Sequence, residues 1–250
     1  QLISNEIWRI VRQRRAEKAL RESEARLRSI LRATPVGIGV VIDRVFTEAN
    51  QTMQQMTGYS REELIGQTSR MLYLSDEEFE RVGREKYAQI RERGIGTVET
   101  RFRCKNGEIR DIFLSSAMTD SDVPGKGVTF SAQDITERKQ TENMLRKLAQ
   151  AVEQSPESIV ITDLDANLEY VNETFVRNTG YSRDEALGQN PRILHSGKTP
   201  RSTFDALWNA MRLGLPWQGE FCNKRKDGSE YVEFAIITPL RQPDGSVTHY

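Results

Sequence analysis

The sequence predicts an α+β fold that occurs twice, each copy being a five-stranded antiparallel sheet with helices on one face. Three observations predict it: a stretch recurs 122 residues further on, each copy orders its elements β-β-α-α-α-β-β-β, and charged helical segments precede and separate the copies. The 250 residues suffice for two ordinary domains. We expect an N-terminal helix at 1–30, a first domain at 31–136, a connecting helix at 137–154 and a second domain at 155–250 with a truncated last strand.

The repeat begins with two short apolar runs in each copy, separated by a polar break, which predict a β-hairpin. Asn50 and Asn172 follow and suit the N-cap of a short helix, which a glycine closes eight residues after each asparagine. The next residues match closely, GYSREELIGQ at 58–67 and GYSRDEALGQ at 180–189, and each stretch contains a capping box for a further helical turn. A period this long is that of a whole domain.

A longer helix is expected at 76–93 in the first copy and at 200–213 in the second. Three strand candidates follow in each copy, and Asn-Gly at 106–107 and Asp-Gly at 227–228 are strong hairpin signals between the first two. This order predicts a pocket between the sheet and its helices.

Composition excludes several functional classes. Thirty-six basic residues balance 36 acidic residues, so net charge gives no reason to expect nucleic-acid binding, and no apolar run is long enough to cross a bilayer. Cys104 and Cys222 lack the spacing of a metal site, and we expect both to be buried thiols in the cytoplasm. With two histidines and no glycine-rich phosphate loop, no catalytic activity is expected within this chain.

The two helical segments outside the domains carry short apolar stripes, which predict dimerising helices. The stripe of the first segment consists of Ala16, Leu20, Leu27 and Ile30, and that of the second of Met144, Leu145, Leu148 and Val152. Packing of these stripes against the neighbouring sheets is the alternative explanation.

The stretches that follow Asn50 and Asn172, together with Asp-Ile-Thr at 134–136, resemble PAS sensory domains, which commonly leave through such a motif into a signalling helix. The resemblance implies ligand sensing, homodimerisation and relay to an output domain, often a histidine kinase or a diguanylate cyclase. Because the chain starts at Gln1 and ends at Tyr250 inside a strand-like run, we expect it to be the input part of a longer bacterial signalling protein.

Residues 189–197 are similar to the flavin-contacting stretch of light-sensing PAS domains, but Pro191 stands where those have a reactive cysteine, so no photoadduct is expected. Residues 208–228 are similar to FAD-binding redox sensors that regulate nitrogen fixation and aerotaxis, in which residues matching Trp208 and Asn223 line the flavin site. The nitrogen-fixation regulator has an acidic residue at the position of Pro191, which is a departure from its pattern. The resemblance implies a redox or oxygen sensor that holds FAD in the second domain.

An isoalloxazine ring needs an apolar or aromatic slot and an amide at its polar edge, while Arg192 or His195 is suited to phosphate. A haem-ligand role for His195 has no supporting pattern. The candidate cofactor-binding residues are Trp208, Asn223, Asn190, Arg192, His195, Thr162 and Trp217.

Two other functions remain open for the second domain. In a cofactor-free dimerisation and relay module, Trp208 and Trp217 would be core aromatics and Asn223 would satisfy backbone groups. A flavoenzyme would need acid or base residues near the ring, for which the sequence offers no clear candidate.

The first domain has Tyr87 near the place of Trp208, Phe102 at that of Asn223, and no histidine. Neither flavin held by the same contacts nor histidine-ligated haem is expected there, and its ligand is not predicted.

Overall fold

The computed structural model describes residues 35–119 and 127–250, together with Lys18, Arg21 and Ser29. The helix expected at 1–30 therefore lies outside the described residues, except for those three. The chain divides into two compact units, Gln1–Glu142 and Asn143–Tyr250, so that each copy of the repeat forms its own unit.

The first unit has the predicted α+β architecture. Its elements are β1 (Gly37–Ile42), β2 (Val45–Ala49), α1 (Gln51–Thr57), α2 (Arg61–Leu64), a 3-10 turn (Ser69–Leu72), α3 (Asp76–Arg93), β3 (Ile95–Arg103), β4 (Ile109–Met118) and β5 (Val128–Asp134). The five strands form one antiparallel sheet in the order β2-β1-β5-β4-β3. Every second residue of β3 is buried, as expected for a strand with one face against a core.

Helix α4 (Thr136–Glu153) follows β5, and the boundary between the two units falls within it. At its start, Thr136 accepts a hydrogen bond from the backbone N–H of Asp111, and Lys139 pairs with Glu99. At its end, the Glu153 carboxylate accepts a hydrogen bond from the Tyr170 hydroxyl at 2.7 Å. Each end of α4 is thus fixed to the unit it belongs to.

The second unit repeats the element order of the first with one additional short strand, β10 (Leu240–Arg241). Its elements are β6 (Val160–Thr162), β7 (Leu168–Val171), α5 (Glu173–Thr179), α6 (Arg183–Ala186), a 3-10 turn (Pro191–Leu194), α7 (Arg201–Arg212), β8 (Trp217–Lys224), β9 (Glu230–Ile237), β10 (Leu240–Arg241) and β11 (Val247–His249).

The strands of the second unit form three two-stranded ladders, β6–β7, β8–β9 and β10–β11, where the sequence predicts one five-stranded sheet. Tyr250, the residue after β11, exchanges two backbone hydrogen bonds with Thr162 on β6, with N to O distances of 2.8 and 3.0 Å. This pairing matches that of β5 with β1 in the first unit, so the topology agrees although the ladders stay short.

One asparagine caps the first helix of each unit, as predicted, Asn50 in the first unit and Asn172 in the second. The Asn172 side chain is fully buried and accepts hydrogen bonds from the backbone N–H groups of Phe175 and Ile159, both at 3.0 Å. It also donates to the carbonyls of Val152 and Glu157, at 3.1 and 2.9 Å. Its counterpart at the start of α1 makes three such bonds, so the asparagine joins the helix to the chain before β1 or β6.

The predicted capping boxes at α2 and α6 are confirmed, with serine and glutamate side chains reciprocally bonded. Each glutamate of the box also pairs with a hairpin lysine, Glu63 with Lys105 and Glu185 with Lys226, both at 2.5 Å. Cys104 is buried as expected, whereas Cys222 is only half-buried because it faces away from the inner side of β8. None of the helices in the described ranges has the length and apolar character needed to cross a membrane.

Candidate functional site

The inner face of the β8–β9 hairpin holds the residues that could form a binding site in the second unit. Asn223 pairs with Tyr231 across the two strands, and Phe221 pairs with Glu233. Paired residues of an antiparallel ladder point to the same face, so these four side chains share one surface. Trp217 lies on this surface too, with its indole over Gly219, where a Cβ would approach the ring to 2.5 Å.

Four aromatic rings line this surface, each in contact with the next. His195 meets Phe204 of α7 edge-on, with ring centroids 5.3 Å apart, and Phe204 lies 5.7 Å from Phe221. Trp217 lies 5.1 Å from Phe221 at an interplanar angle of 37°. The rings form a continuous row of aromatic contacts next to the polar residues further along β8.

The polar part of the surface is centred on Asn223, which is buried and donates a hydrogen bond from Nδ2 to Glu233 Oε1 at 2.8 Å. Burial raises the pKa of the Glu233 carboxyl. Burial, followed by the charge of Glu233, raises the pKa of Tyr231 to about 12, and its buried hydroxyl has no hydrogen-bond partner within the described residues. A carboxyl with a raised pKa can be protonated and then donates as well as accepts.

The structure brings three of the seven predicted residues together: His195, Trp217 and Asn223. His195 forms an isolated β-bridge with Asn223, and Trp217 reaches the same surface through Phe221. Trp208 lies on α7 one turn beyond Phe204, with 45% of its surface exposed.

The other three predicted residues have local roles in the structure. Asn190 caps the 3-10 turn by accepting a hydrogen bond from the backbone N–H of Arg192, whose own side chain is exposed. Thr162 is buried at the end of β6 and pairs through its backbone with Tyr250.

Sequence reasoning missed Glu233, Tyr231 and the aromatic pair formed by Phe204 and Phe221. Strand β9 alternates, but Val232, Phe234 and Ile236 are exposed, and Glu233 is among the residues that face inward. Alternation alone does not say which face is buried. The predicted hairpin turn could have assigned it, because it places Glu233 opposite the apolar Phe221.

The first unit fills the equivalent positions with large apolar side chains. Phe102 stands at the position of Asn223, and Ile112 stands at that of Glu233, with exposures of 3% and 0%. At these two positions the first unit is therefore apolar, whereas the second unit is polar.

Two surface clefts of about 240 and 320 Å³ occur at equivalent places, beside Gly58 in the first unit and Gly180 in the second. None of the seven predicted residues lines either cleft. Within the described ranges, no group of three or more His, Cys, Asp and Glu side chains is arranged to hold a metal ion.

The inner face of the second unit fits the needs of a flavin. Phe221 and Trp217 offer ring faces, Asn223 offers an amide, and Glu233 offers a carboxyl that can exchange a proton. The unpartnered Tyr231 hydroxyl is a further donor on the same face.

Comparison with known proteins agrees with the repeat. Residues 25–135 match the family model described as PAS fold, and residues 156–250 match the one described as PAS domain. The chain is 42% identical over 99 residues to the nitrogen fixation regulatory protein of Klebsiella oxytoca, covering 40% of this chain and 20% of the relative. It is 32% identical over 89 residues to the aerotaxis receptor of Escherichia coli, covering 36% and 17%.

A third relative is the sensor protein TdiS of Thauera aromatica, with 32% identity over 125 residues, covering 50% of this chain and 23% of the relative. In all three comparisons, the matching part spans less than a quarter of the relative's length.

Proposed function

The chain belongs to the PAS family, with one PAS domain in each unit, and on this premise we propose that its second domain is a redox or oxygen sensor that holds FAD. The two domains make the chain a sensory or regulatory module. The observation that carries the proposal is the hydrogen bond between buried Asn223 and half-buried Glu233 beside a row of aromatic rings, at positions where the first domain has Phe102 and Ile112.

Bound FAD would supply electron transfer coupled to protonation of its ring. In the proposed site Phe221, Trp217 and Phe204 contact the ring faces and exclude water, while Asn223 and Glu233 meet the polar edge. The Asn223 amide can present either its donor or its acceptor, and the Glu233 carboxyl can take up or release a proton. Their strands, β8 and β9, would carry the resulting change in hydrogen bonding.

The remaining sequence candidates keep their proposed binding roles. Trp208 on α7 extends the row of aromatic rings by one turn, and Arg192 and His195 offer cationic or polar groups for the phosphates. We also place Asn190 and Thr162 at the polar edge of the proposed flavin site.

The absorbance spectrum of the purified chain tests this proposal. We expect a yellow protein whose flavin bands bleach on addition of dithionite and return with air, and we expect Asn223→Ala and Trp208→Ala to lose the colour. Asn106→Ala, which removes an exposed hairpin asparagine of the first domain, is the matched control and stays yellow. A folded protein that stays colourless after incubation with FAD would contradict the proposal.

The role of the whole protein is proposed from its relatives. The names nitrogen fixation regulatory protein and aerotaxis receptor favour sensing of redox state or oxygen, and TdiS is named as a sensor. We infer a cytoplasmic input module that passes its signal to an output domain such as a histidine kinase or a diguanylate cyclase.

A cofactor-free dimerisation and relay module is the second candidate, and the surface of α4 favours it. No residue of α4 is buried, and Met144, Leu145 and Leu148 form an exposed apolar stripe. The outer face of β9 is likewise apolar and exposed. Exposed apolar surface of this kind marks sites of association.

A further inference from the structure

The first domain contains a buried lysine whose charge is not compensated. Lys86 lies on α3 and is 8% exposed, and no carboxylate in the described parts of the chain pairs with its amine. Burial, and then repulsion from Arg44, lowers the pKa of Lys86 to about 8. A buried cation without a partner costs folding free energy, so a fold that keeps one usually has a use for it.

A buried hydroxyl without a partner lies on the sheet next to this lysine. Ser116 on β4 is 2% exposed, and its Oγ has no hydrogen-bond partner in the described residues. Ser116 pairs across the strands with Gly96 of β3, so both face the helices. A Cβ at Gly96 would lie 2.9 Å from Lys86 Cγ, so the lysine stem passes directly over Gly96, the cross-strand partner of Ser116.

The other cation of this region is already neutralised. Arg44, on the turn between β1 and β2, pairs with Glu80 at 2.9 Å and stacks over the Phe79 ring at 3.3 Å. Lys86 has only a distant aromatic contact, with its Nζ 5.7 Å from the centroid of Tyr87. One positive charge and one hydroxyl on this side of the sheet therefore have no partner within the described residues.

The neighbours of the pair are apolar or aromatic. Ser116 is flanked on its other side by Phe130, which is buried on β5, and Tyr87 is half-buried beside the amine. A ligand in this setting needs a charged head and a short apolar body.

We propose that the first PAS domain binds a small carboxylate between Lys86 and Ser116. The ammonium of Lys86 pairs with one carboxylate oxygen, and the Ser116 hydroxyl donates to the other. A carboxylate matches one free cation with one charge, and its two oxygens satisfy both donors, whereas phosphate brings a second charge that nothing here neutralises. The proposal concerns the first domain alone and does not depend on flavin in the second.

Titration calorimetry with sodium acetate tests the site in the full chain, with sodium chloride at equal ionic strength as the reference. We expect one acetate to bind per chain. Lys86→Met should weaken acetate binding roughly tenfold or more, because a hydrogen bond to a charged group is lost. Ser116→Ala should weaken it by roughly threefold to tenfold, the range for a neutral hydrogen bond. Lys105→Met, which removes an exposed lysine of the same domain, is the control and should bind as the unaltered chain does.

Circular dichroism establishes that each variant is folded before its titration. Absence of acetate binding to the folded unaltered chain, or equal binding to Lys86→Met, would overturn the proposal. Tighter binding of inorganic phosphate than of acetate would overturn the assignment of a carboxylate.

Discussion

Lys86 illustrates how one side chain couples stability to pH. Its lowered pKa means that the amine loses its proton more readily in the folded chain than in the unfolded chain. Between about pH 8 and the ordinary lysine value of 10.5, the unfolded chain therefore binds more protons at this position. The contribution of Lys86 to the free energy of unfolding consequently rises with pH across this window and is constant and unfavourable below it.

Replacing Lys86 by methionine should remove this pH dependence. At pH 7 and without carboxylates, we expect Lys86→Met to be more stable than the unaltered chain by on the order of 3 kcal/mol, the equivalent of its pKa shift. By pH 10.5 the two proteins should differ little. Urea unfolding at pH 7, 8, 9 and 10 measures the difference in the free energy of unfolding. For Lys105→Met this difference from the unaltered chain should not change comparably with pH. A constant offset at all four values would show that Lys86 acts through packing rather than charge.

Single residues also mark what the sequence could and could not predict. Asn50 and Asn172 were predictable as helix caps, because an N-cap depends on a few neighbouring residues. Glu233 was not predictable from β9 alone, because its burial depends on the pairing with β8 and on the helices above. The burial of Lys86 follows from the approach of α3 to Gly96, a contact that the sequence of the helix alone does not specify.

At the scale of elements, α5 depends on a single buried side chain. Asn172 connects this helix to the last turn of α4 and to the residues between α4 and β6, through four hydrogen bonds to the backbone. Its loss leaves several buried backbone groups unpaired, and each such group is costly.

Asn172→Ala should destabilise the second unit by about 2–4 kcal/mol. Two of the three tryptophans, Trp208 and Trp217, lie in that unit, so the midpoint of urea unfolding followed by tryptophan fluorescence measures the loss. Asn178→Ala removes an exposed asparagine with one side-chain bond, to Ser158, and should leave the midpoint nearly unchanged. Equal effects of the two substitutions would contradict the anchoring role of Asn172.

The predicted helix and strand order is confirmed in the first unit, since turn and cap residues determine where elements begin and end, and the second unit differs from it by the additional strand β10. The length of the ladders in the second unit was not predictable, because it depends on how far β11 runs along β6.

At the scale of the whole molecule, the exposed stripe of α4 predicts self-association. Met144, Leu145 and Leu148 are all more than half exposed, and a matching stripe on a second copy would bury them.

Leu145→Glu combined with Leu148→Glu should convert a dimer into a monomer, because charges at the centre of an apolar helix interface are costly to bury. Light scattering of the flavin-free protein, across a range of concentrations, measures the change in mass. Arg146→Glu reverses a charge on the other side of α4 and should leave the mass unchanged. A mass that is the same for all three proteins would show that α4 is not the dimer contact.

The lysine–glutamate ion pairs and the capping boxes are the same in the two domains, while the residues on the inner faces of the two domains differ. The parts that hold the fold together are thus separate in sequence from the parts that would meet a ligand. One domain can therefore differ from the other in chemical specificity through substitutions such as Phe for Asn at a single strand position, without new folding determinants. Such a scaffold is evolvable, and the same separation makes it suitable for grafting one domain's binding face onto the other.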